Sequence, residues 1–412
     1  MSRQAVLLQS AAGFRHGIVL PAEEVEPTCG DLRGIVNFGV PANSNDPWAG
    51  ATGGIGWQRD AAESAAVGEA LERYAAVAFP LPERPRSEIP AQDRLDADAF
   101  SLYSEDQRER PDFPHRALYE DDVAYTNVFS LADNRETWVP AALVTLGGAE
   151  GGVATSTGLA AGPSPYAALL RAVEELVERD ALAVTWLHGI RGSRRDLPEG
   201  CAAAVEERGG EVICVDATPA YSPHPVAIVA GHLPLRGARP IALGAACRAK
   251  WSQAVDKAFL EWFQGVSFAG FHLEARARCE PKEARELKTF DDHALYYTLH
   301  PEEWEKVPLL RGERAARANA ESPPGRTSEA LAEFVARLDG EGVRVFYREI
   351  TTCDLGEVGV AAVRALSPDL VPLACDEEWR FLGGTAQDVG RRYPWAESTE
   401  LSFPSPYPHP LG

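Results

Sequence analysis

The motif Glu-x-x-Glu-Arg occurs twice in this chain of 412 residues and constrains its fold more than any other feature. The first copy consists of Glu69, Glu72 and Arg73, within an alanine-rich run that predicts a helix over about 60–79. Glu69 and Glu72 would project from a face lined by small residues, whereas a solvated face would mix lysines with the acids. From this copy alone, an exposed face with salt bridges to Arg73 is the simpler interpretation.

The second copy of the motif predicts a buried helix. It consists of Glu175, Glu178 and Arg179, and Asp180 follows directly. The surrounding run, 166–187, is apolar on nearly every side, and Ser164 and Pro165 predict its N-cap and first helical position. Buried carboxylates are costly unless a cation meets them, and one arginine cannot neutralise three acids. This copy therefore predicts a divalent metal, with an internal network of ion pairs as the alternative.

A third helix is predicted over about 252–268, with Glu261 and Gln264 three residues apart on one face. By themselves these two residues are an ordinary helix face. If the three acid-bearing helices converge, their hard oxygen ligands suit Mg²⁺, which usually bridges carboxylates to the phosphates of a bound nucleotide. The residues therefore favour a magnesium nucleotide site and phosphoryl transfer from ATP.

The rest of the chain alternates strand-like runs with turns and predicts an α/β fold. Strands are expected over 123–129, 137–145, 211–217, 226–231 and 240–247. No clean linker divides the chain, so one composite domain is the simplest arrangement. The stretch 280–326 is charged and rich in proline without a sustained apolar stripe, which predicts an insertion.

Composition excludes several function classes. The formal net charge of −21 argues against a general nucleic-acid binder or a protein of anionic membranes. Nothing approaches about 18 consecutive apolar residues, and the N-terminus does not resemble a secretory signal, so we expect a cytoplasmic protein. Its seven cysteines form no C-x-x-C pair, which argues against a zinc site or a disulfide scaffold.

In their order along the chain, these segments resemble the YcaO family of ATP-dependent enzymes, which activate the backbone amides of peptides. The resemblance rests on GGIG to GEALERYAA at 53–76, STGLAAG at 156–162, VEELVERDA at 173–181, AVDKAFLEWFQ at 254–264 and FPSPYPHPLG at 403–412. It covers most of the chain. It implies a single YcaO-like domain over 1–401, with mixed or antiparallel sheets covered by helices and the acid-bearing helices converging on a nucleotide site.

The resemblance also implies ATP and Mg²⁺ as cofactors and assigns their ligands. It places Mg²⁺ on Glu69, Glu72, Glu175, Glu178 and Glu261, and the nucleotide on Ser64, Arg73, Thr157, Arg179 and Gln264. This sequence departs from the usual family pattern at three positions. Ile55 stands where lysine is frequent, Thr157 where asparagine is frequent, and Ala65 where serine is frequent, with Ser64 one residue earlier.

The function implied by the resemblance is ATP-dependent cyclodehydration of a ribosomally made precursor peptide. A Cys, Ser or Thr side chain attacks the preceding carbonyl, and the amide oxygen is then phosphorylated and lost, which closes a thiazoline or oxazoline ring. Other family members use another nucleophile and form thioamides or macrocyclic amidines. A non-catalytic ATP-binding accessory protein is a further alternative, from a different functional class.

The C-terminal tail, 402–412, carries alternating prolines and should be stiff and extended. In azoline-forming YcaO proteins a similar tail reaches the active site, so the resemblance implies a catalytic role in proton transfer for the terminal carboxylate of Gly412. It also implies a precursor peptide as substrate and a separate protein that binds the leader of that peptide, since this chain has no room for a fused leader-binding module. A homodimer is a further expectation.

Overall fold

The computed structural model describes residues 3–42, 51–146, 153–275, 282–314, 325–394, 396 and 403–412. Its helices are α1 (Arg3–Ser10), α2 (Arg59–Ala78), α3 (Glu105–Glu109), α4 (Pro165–Leu187), α5 (Cys201–Glu206), α6 (Trp251–Ala275), α7 (Phe290–Leu299), α8 (Pro301–Trp304), α9 (Thr327–Gly340), α10 (Cys353–Glu357) and α11 (Val389–Arg392). Its strands are β1 (Glu23–Val25), β2 (Val36–Val40), β3 (Thr52–Gly56), β4 (Glu83–Pro85), β5 (Ala124–Ser130), β6 (Glu136–Pro140), β7 (Leu159–Gly162), β8 (Ser193–Arg195), β9 (Glu211–Asp216), β10 (Val226–His232), β11 (Ile241–Cys247), β12 (Phe346–Glu349) and β13 (Ala361–Leu366).

The strands form three sheets, in which every pairing between named strands is antiparallel. One sheet has the order β1-β2-β3, and a second has the order β11-β10-β9-β8. The third runs β4-β5-β12-β13-β7, with β6 paired to β5. The structure therefore confirms the predicted fold class, a mixed α/β architecture with antiparallel sheets covered by helices.

Each sheet carries one of the three predicted acid-bearing helices. Helix α2 packs on β2 and β3, α4 packs on β7 and β13, and α6 packs on β10 and β11. Glycines allow two of these helices to lie directly on a strand. A Cβ atom at Gly54 would stand 2.1 Å from the carbonyl oxygen of Ala62 in α2, and one at Gly244 would stand 2.2 Å from that of Ala258 in α6. This close approach brings the acidic side chains of α2 and α6 to the sheet surface.

The helix predictions hold, with different ends. Helix α4 begins as expected, with the Ser164 side chain accepting a hydrogen bond from the Ala167 N–H and with Pro165 in its first turn. It is buried on most sides, and its buried apolar residues belong to the largest hydrophobic cluster of the described chain. Helix α6 continues to Ala275, beyond the predicted end at about 268.

Part of the predicted insertion at 280–326 is helical and packs into the core, and whether the segment is an insertion stays a prediction. Residues 280, 281 and 315–324 lie outside the described part, but 290–304 forms α7 and α8. Tyr297, Trp304 and Leu309 are buried in the same cluster as α4. The segment packs into the core because its few apolar residues are large and occur within short helical turns, a pattern that charged neighbours conceal. Within the described chain, no helix combines the length and apolar character needed to cross a membrane.

Candidate nucleotide and metal site

The two glutamates of the first motif are directed to two different sheets. Glu69 Oε2 accepts a hydrogen bond from the Gly53 N–H on β3 at 3.0 Å, while its Oε1 pairs with Arg73 at 2.6 Å. Glu72 Oε1 accepts a hydrogen bond from the Ala161 N–H on β7 at 2.9 Å. Helix α2 therefore presents one carboxylate to its own sheet and the other to the strand that leads into α4.

The second motif repeats this arrangement on α4. Glu175 Oε2 accepts a hydrogen bond from the Gly158 N–H at 3.1 Å, and Glu178 Oε2 accepts one from the Cys247 N–H at the end of β11, also at 3.1 Å. The other oxygen of each carboxylate faces Arg179, at 3.3 Å for Glu175 and 2.7 Å for Glu178. Glu178 thereby links α4 to the sheet that α6 covers.

The third helix meets the site through its predicted pair. Glu261 forms an ion pair with Lys257, one turn earlier in α6, at 3.2 Å. Gln264 lies against β3, since a Cβ atom at Gly53 would stand 2.4 Å from Gln264 Nε2. Gly53 therefore adjoins both Glu69 of α2 and Gln264 of α6, which places these two helices at one strand.

The carboxylates of the three helices lie close enough to repel one another. Burial raises the pKa of Glu72 well above its ordinary value, and the charges of Glu175 and Glu69 raise it further. Burial raises the pKa of Glu178 to about 7, and the charges of Glu261 and Glu175 add to this increase. Burial and the charge of Glu261 also raise the pKa of Glu175. The structure thus brings four of the five predicted metal ligands into one electrostatic cluster, with Glu69 joined to it through Glu72.

This cluster fits a metal that is bound together with a nucleotide. Within the described residues, no three His, Cys, Asp or Glu side chains are arranged to hold a metal ion on their own. Mg²⁺ commonly takes only one or two carboxylates from the protein and fills its remaining positions with phosphate oxygens and water. The side chains of Glu175 and Glu261 remain 24% and 27% exposed, so solvent and ions can reach them. A divalent cation beside these carboxylates would relieve the mutual repulsion.

Two predicted nucleotide contacts have other partners in this structure. The Ser64 hydroxyl donates a hydrogen bond to the Asp60 carbonyl one turn earlier in α2, at 2.6 Å, and the residue is buried. Thr157 is also buried, and its N–H donates to Thr155 Oγ1 at 3.3 Å. A nucleotide contact from the Ser64 hydroxyl would require its present bond to break, so that role stays a prediction.

Two arginines beside the cluster were missed by the sequence analysis. Arg248 follows β11, lies 3.7 Å from Glu174, and its charge lowers the pKa of Glu178 against the effect of burial. Arg364 is buried on β13 and donates to the carbonyls of Thr155 at 2.7 Å and Leu143 at 3.1 Å. Burial lowers the pKa of Arg364 to about 10, and Glu175 opposes this change. A lone arginine in the otherwise apolar strand β13 was the available sequence signal.

Asp180 does not belong to the cluster, although it directly follows the second motif. It is fully buried and pairs with Arg392 at 2.7 Å. It also accepts hydrogen bonds from the Tyr221 hydroxyl at 2.6 Å and from the Val371 N–H at 2.8 Å. This acid forms the internal ion-pair network that was the alternative for the whole motif, and it anchors α4 to the C-terminal part of the chain.

The C-terminal tail lies along α4 and α7. Trp186 Nε1 and the Tyr297 hydroxyl both donate to the Pro408 carbonyl, at 2.6 and 2.8 Å. Trp186 is two turns beyond Glu178 on α4, about 12 Å along the helix. Gly412 is exposed and packs on Ala294 of α7. The tail thus packs against the C-terminal half of the second acid-bearing helix.

A cluster of partly buried carboxylates, oriented by backbone N–H groups, is the kind of site that nucleotide-dependent enzymes use to bind a divalent metal. The family model described as YcaO cyclodehydratase, ATP- and Mg²⁺-binding, matches residues 53–371. The match covers more than three quarters of the chain, and the chain therefore belongs to the YcaO family. The family description confirms ATP and Mg²⁺ as the predicted cofactors. No curated protein sequence matches the chain significantly.

Solved structures share the fold at low sequence identity. A heterocyclase in complex with substrate and cofactor matches with a TM-score of 0.71 and 16% identity, over 93% of this chain and 55% of that chain. YcaO from Methanopyrus kandleri, bound with AMPPCP and Mg²⁺, matches with a TM-score of 0.62 and 18% identity, over 88% of each chain. A chain of the E. coli microcin synthetase McbBCD complex with pro-MccB17 bound matches with a TM-score of 0.64 and 14% identity, over 94% of this chain and 96% of that chain. This chain thus spans about half the length of the heterocyclase.

Proposed function

We propose that this protein is an ATP-dependent cyclodehydratase that acts on a ribosomally made precursor peptide and forms thiazoline or oxazoline rings. One observation carries the proposal. Carboxylates from α2, α4 and α6, up to 192 residues apart in sequence, form one electrostatic cluster in which burial and mutual repulsion raise the pKa values of Glu72, Glu175 and Glu178. A site arranged in this way favours a cation and the phosphates that accompany it. The family membership supports the same reaction class.

The reaction requires activation of an amide oxygen, which is a poor leaving group. Bound ATP supplies the phosphoryl group, and Mg²⁺ supplies neutralisation of phosphate charge. The side chain of a substrate Cys, Ser or Thr attacks the preceding carbonyl carbon and loses its proton, and the oxygen of that carbonyl takes the γ-phosphoryl group, which releases ADP. Phosphate then leaves with the former amide oxygen, the amide nitrogen loses its proton, and the ring closes with a C=N bond.

The chain's own residues position the charges for this reaction. We assign metal binding to Glu69, Glu72, Glu175, Glu178 and Glu261. Arg73 and Arg179 now pair with three of these carboxylates. When a metal shares the carboxylates, the guanidinium groups of these arginines become available to phosphate oxygens, where they stabilise developing negative charge. Ser64, Thr157 and Gln264 are assigned to the nucleotide.

The tail and the partners complete the proposal. We assign the terminal carboxylate of Gly412 to proton transfer during ring closure, with 402–412 as the tail that delivers it. A separate protein would bind the leader of the precursor peptide, and the substrate and ATP place the reaction in the cytoplasm. The E. coli microcin synthetase structure contains both a multiprotein complex and a bound precursor, which supports this assignment of partners. A homodimer is also proposed.

Mass spectrometry of a candidate precursor peptide tests the proposal. The peptide is incubated with the protein, ATP, Mg²⁺ and the leader-binding protein encoded nearby, and the control reaction contains the Glu178→Gln variant. Loss of one water per modified residue, in the wild-type reaction only, supports cyclodehydration. ATP binding without any mass change supports an accessory protein instead, and replacement of oxygen by sulfur in the product mass supports thioamide formation.

A further inference from the structure

A small cavity lies beneath the C-terminal tail. Its volume is about 30 Å³, which exceeds the roughly 10–15 Å³ that a cavity needs to hold a water molecule. The residues that line it include Trp186 of α4, Glu377, Arg380, and Tyr407 and His409 of the tail. The cavity is therefore bounded both by the tail and by the segment on which the tail rests.

Two polar atoms that line this cavity lack a protein partner. Glu377 is 7% exposed and His409 is 6% exposed. Within the described residues, no hydrogen-bond partner lies in range of Glu377 Oε2 or His409 Nδ1, and the nearest ring nitrogen, His293 Nε2, stands 4.0 Å from Glu377 Oε2. Nearly all buried polar atoms in native proteins are satisfied, if necessary by an ordered water.

Both unpartnered atoms are hydrogen-bond acceptors when Glu377 is ionised, the state that its ion pair with Arg380 favours. His409 Nε2 lies 2.9 Å from the Ala374 carbonyl and must carry the ring proton, which leaves Nδ1 with a free lone pair. The other carboxylate oxygen of Glu377, Oε1, already pairs with Arg380 at 3.1 Å. A group that fills the cavity must therefore donate two hydrogen bonds and accept few, and a single water molecule has that capacity.

We propose that this cavity holds one ordered water molecule, which donates one hydrogen bond to Glu377 Oε2 and one to His409 Nδ1 and so fastens the tail to the protein. The surrounding contacts place this bridge within a larger clamp. His293 lies 2.8 Å from the His409 carbonyl, and its ring stacks on that of His409 at 4.0 Å. Arg380 donates to the Ser405 carbonyl at 2.6 Å. Glu377 therefore binds both Arg380 and the water, and Arg380 and the water each form a hydrogen bond to the tail.

The bridge acts three residues before the end of the chain. Fixing His409 limits the positions that Gly412 can reach. The water site therefore determines the position from which the terminal carboxylate would approach the carboxylate cluster. This consequence rests on the proposed function, whereas the water site and its grip on the tail do not. Glu377 is accordingly a positioning residue for the tail.

Two measurements test the proposal on the full chain without nucleotide or peptide. A crystal structure of the wild type should show one water peak between Glu377 Oε2 and His409 Nδ1. In hydrogen–deuterium exchange, Glu377→Leu should raise the exchange rate of 403–412 about tenfold, as expected from losing hydrogen bonds to a charged group. Glu378→Leu is the matched control, because this neighbouring acid is solvent-accessible and lies outside the cavity. In this variant the tail should exchange within about twofold of the wild-type rate.

The outcomes test the water bridge separately from the catalytic role of the tail. No water density in a well-ordered cavity, or equal tail exchange in the wild type and Glu377→Leu, would overturn the water bridge. Density together with faster exchange supports it, even if Glu377→Leu modifies peptides at the wild-type rate. In that case the water bridge is supported and the catalytic role of the tail is contradicted. If Glu377→Leu does not fold, the wild-type density alone decides.

Discussion

The backbone N–H of Ala161 donates a hydrogen bond to Glu72 Oε1 at 2.9 Å, across 89 residues of sequence. Ala161 belongs to β7, the strand that runs into α4, so an acid of the first motif is held by the segment that introduces the second. Glu69, Glu175 and Glu178 are held in the same way by other backbone N–H groups. One oxygen of each carboxylate is thus fixed by a backbone N–H group, while the other faces a cationic side chain or the other carboxylates of the cluster.

We expect Glu72→Gln and Glu178→Gln to abolish ATP consumption while the fold stays intact. Each substitution removes a negative charge that a metal requires but preserves the shape of the side chain and its ability to accept the backbone hydrogen bond. The rate of phosphate release should fall at least about 100-fold. Circular dichroism checks the fold, and Glu206→Gln on the surface of α5 is the control. Unchanged phosphate release in both variants would contradict the site.

We also expect the carboxylate cluster to make the nucleotide-free protein less stable as the pH rises. Burial raises the pKa of Glu178 to about 7, from the ordinary value of 4.5 that applies in the unfolded chain. The folded form therefore binds the proton more tightly, and stability is lost as the pH rises from about 4.5 through 7. At pH 8 Glu178→Gln should melt on the order of 3 °C above the wild type.

Thermal melts at pH 5 and pH 8 check this prediction. At pH 5 the wild type and Glu178→Gln should melt at nearly the same temperature, because Glu178 is protonated there. ATP with Mg²⁺ should raise the melting temperature of the wild type but not that of the variant. A variant that melts below the wild type at pH 8 would show that Glu178 stabilises the fold instead of straining it.

Deletion of 408–412 should slow peptide modification more than it weakens ATP binding. Hydrogen bonds join this segment to Trp186, Tyr297, His293 and Ala374, and none of these residues belongs to the assigned nucleotide ligands. Single-turnover rates by mass spectrometry and nucleotide affinity by calorimetry separate the two effects. Equal modification rates with and without the last five residues would make the tail a structural element only.

Arg364→Lys should weaken nucleotide binding about tenfold. Arg364 joins the carbonyls of Leu143 and Thr155 through its two terminal nitrogens, and this holds the segment whose Gly158 N–H binds Glu175. A lysine has one terminal nitrogen and cannot reproduce the fork. Arg348→Lys is the matched control, because Arg348 is the cross-strand partner of Arg364 on β12 but bonds to Asn127. Calorimetry with ATP and Mg²⁺ should show the difference, and equal affinities would remove Arg364 from the site.

The sequence predicted the three acid-bearing helices because their determinants are local. Ser164 and Pro165 mark the start of α4, and the predicted helix at 60–79 is observed as Arg59–Ala78. The strands predicted at 211–217, 226–231 and 240–247 are observed as β9, β10 and β11. Periodicity, caps and turn residues act over a few residues, so they are visible without the fold.

The side of α4 that Asp180 faces could not be predicted from the sequence. It stands two residues after Glu178, yet it pairs with Arg392 in the interior, because two residues turn a helix by about 200° and point the acids to opposite sides. Which side faces the carboxylate cluster depends on the sheets that pack against α4, and no local pattern contains that information.

By itself, the sequence determined the three acid-bearing helices, the strands β9, β10 and β11, and the presence of more acids than their arginines can neutralise. The tertiary structure decided which backbone N–H group holds each carboxylate, where Arg248 and Arg364 lie, and how the tail rests on α4 and α7. These contacts join residues up to 222 positions apart. They depend on how the three sheets stack, and stacking is set by packing of the whole core, which no single segment specifies.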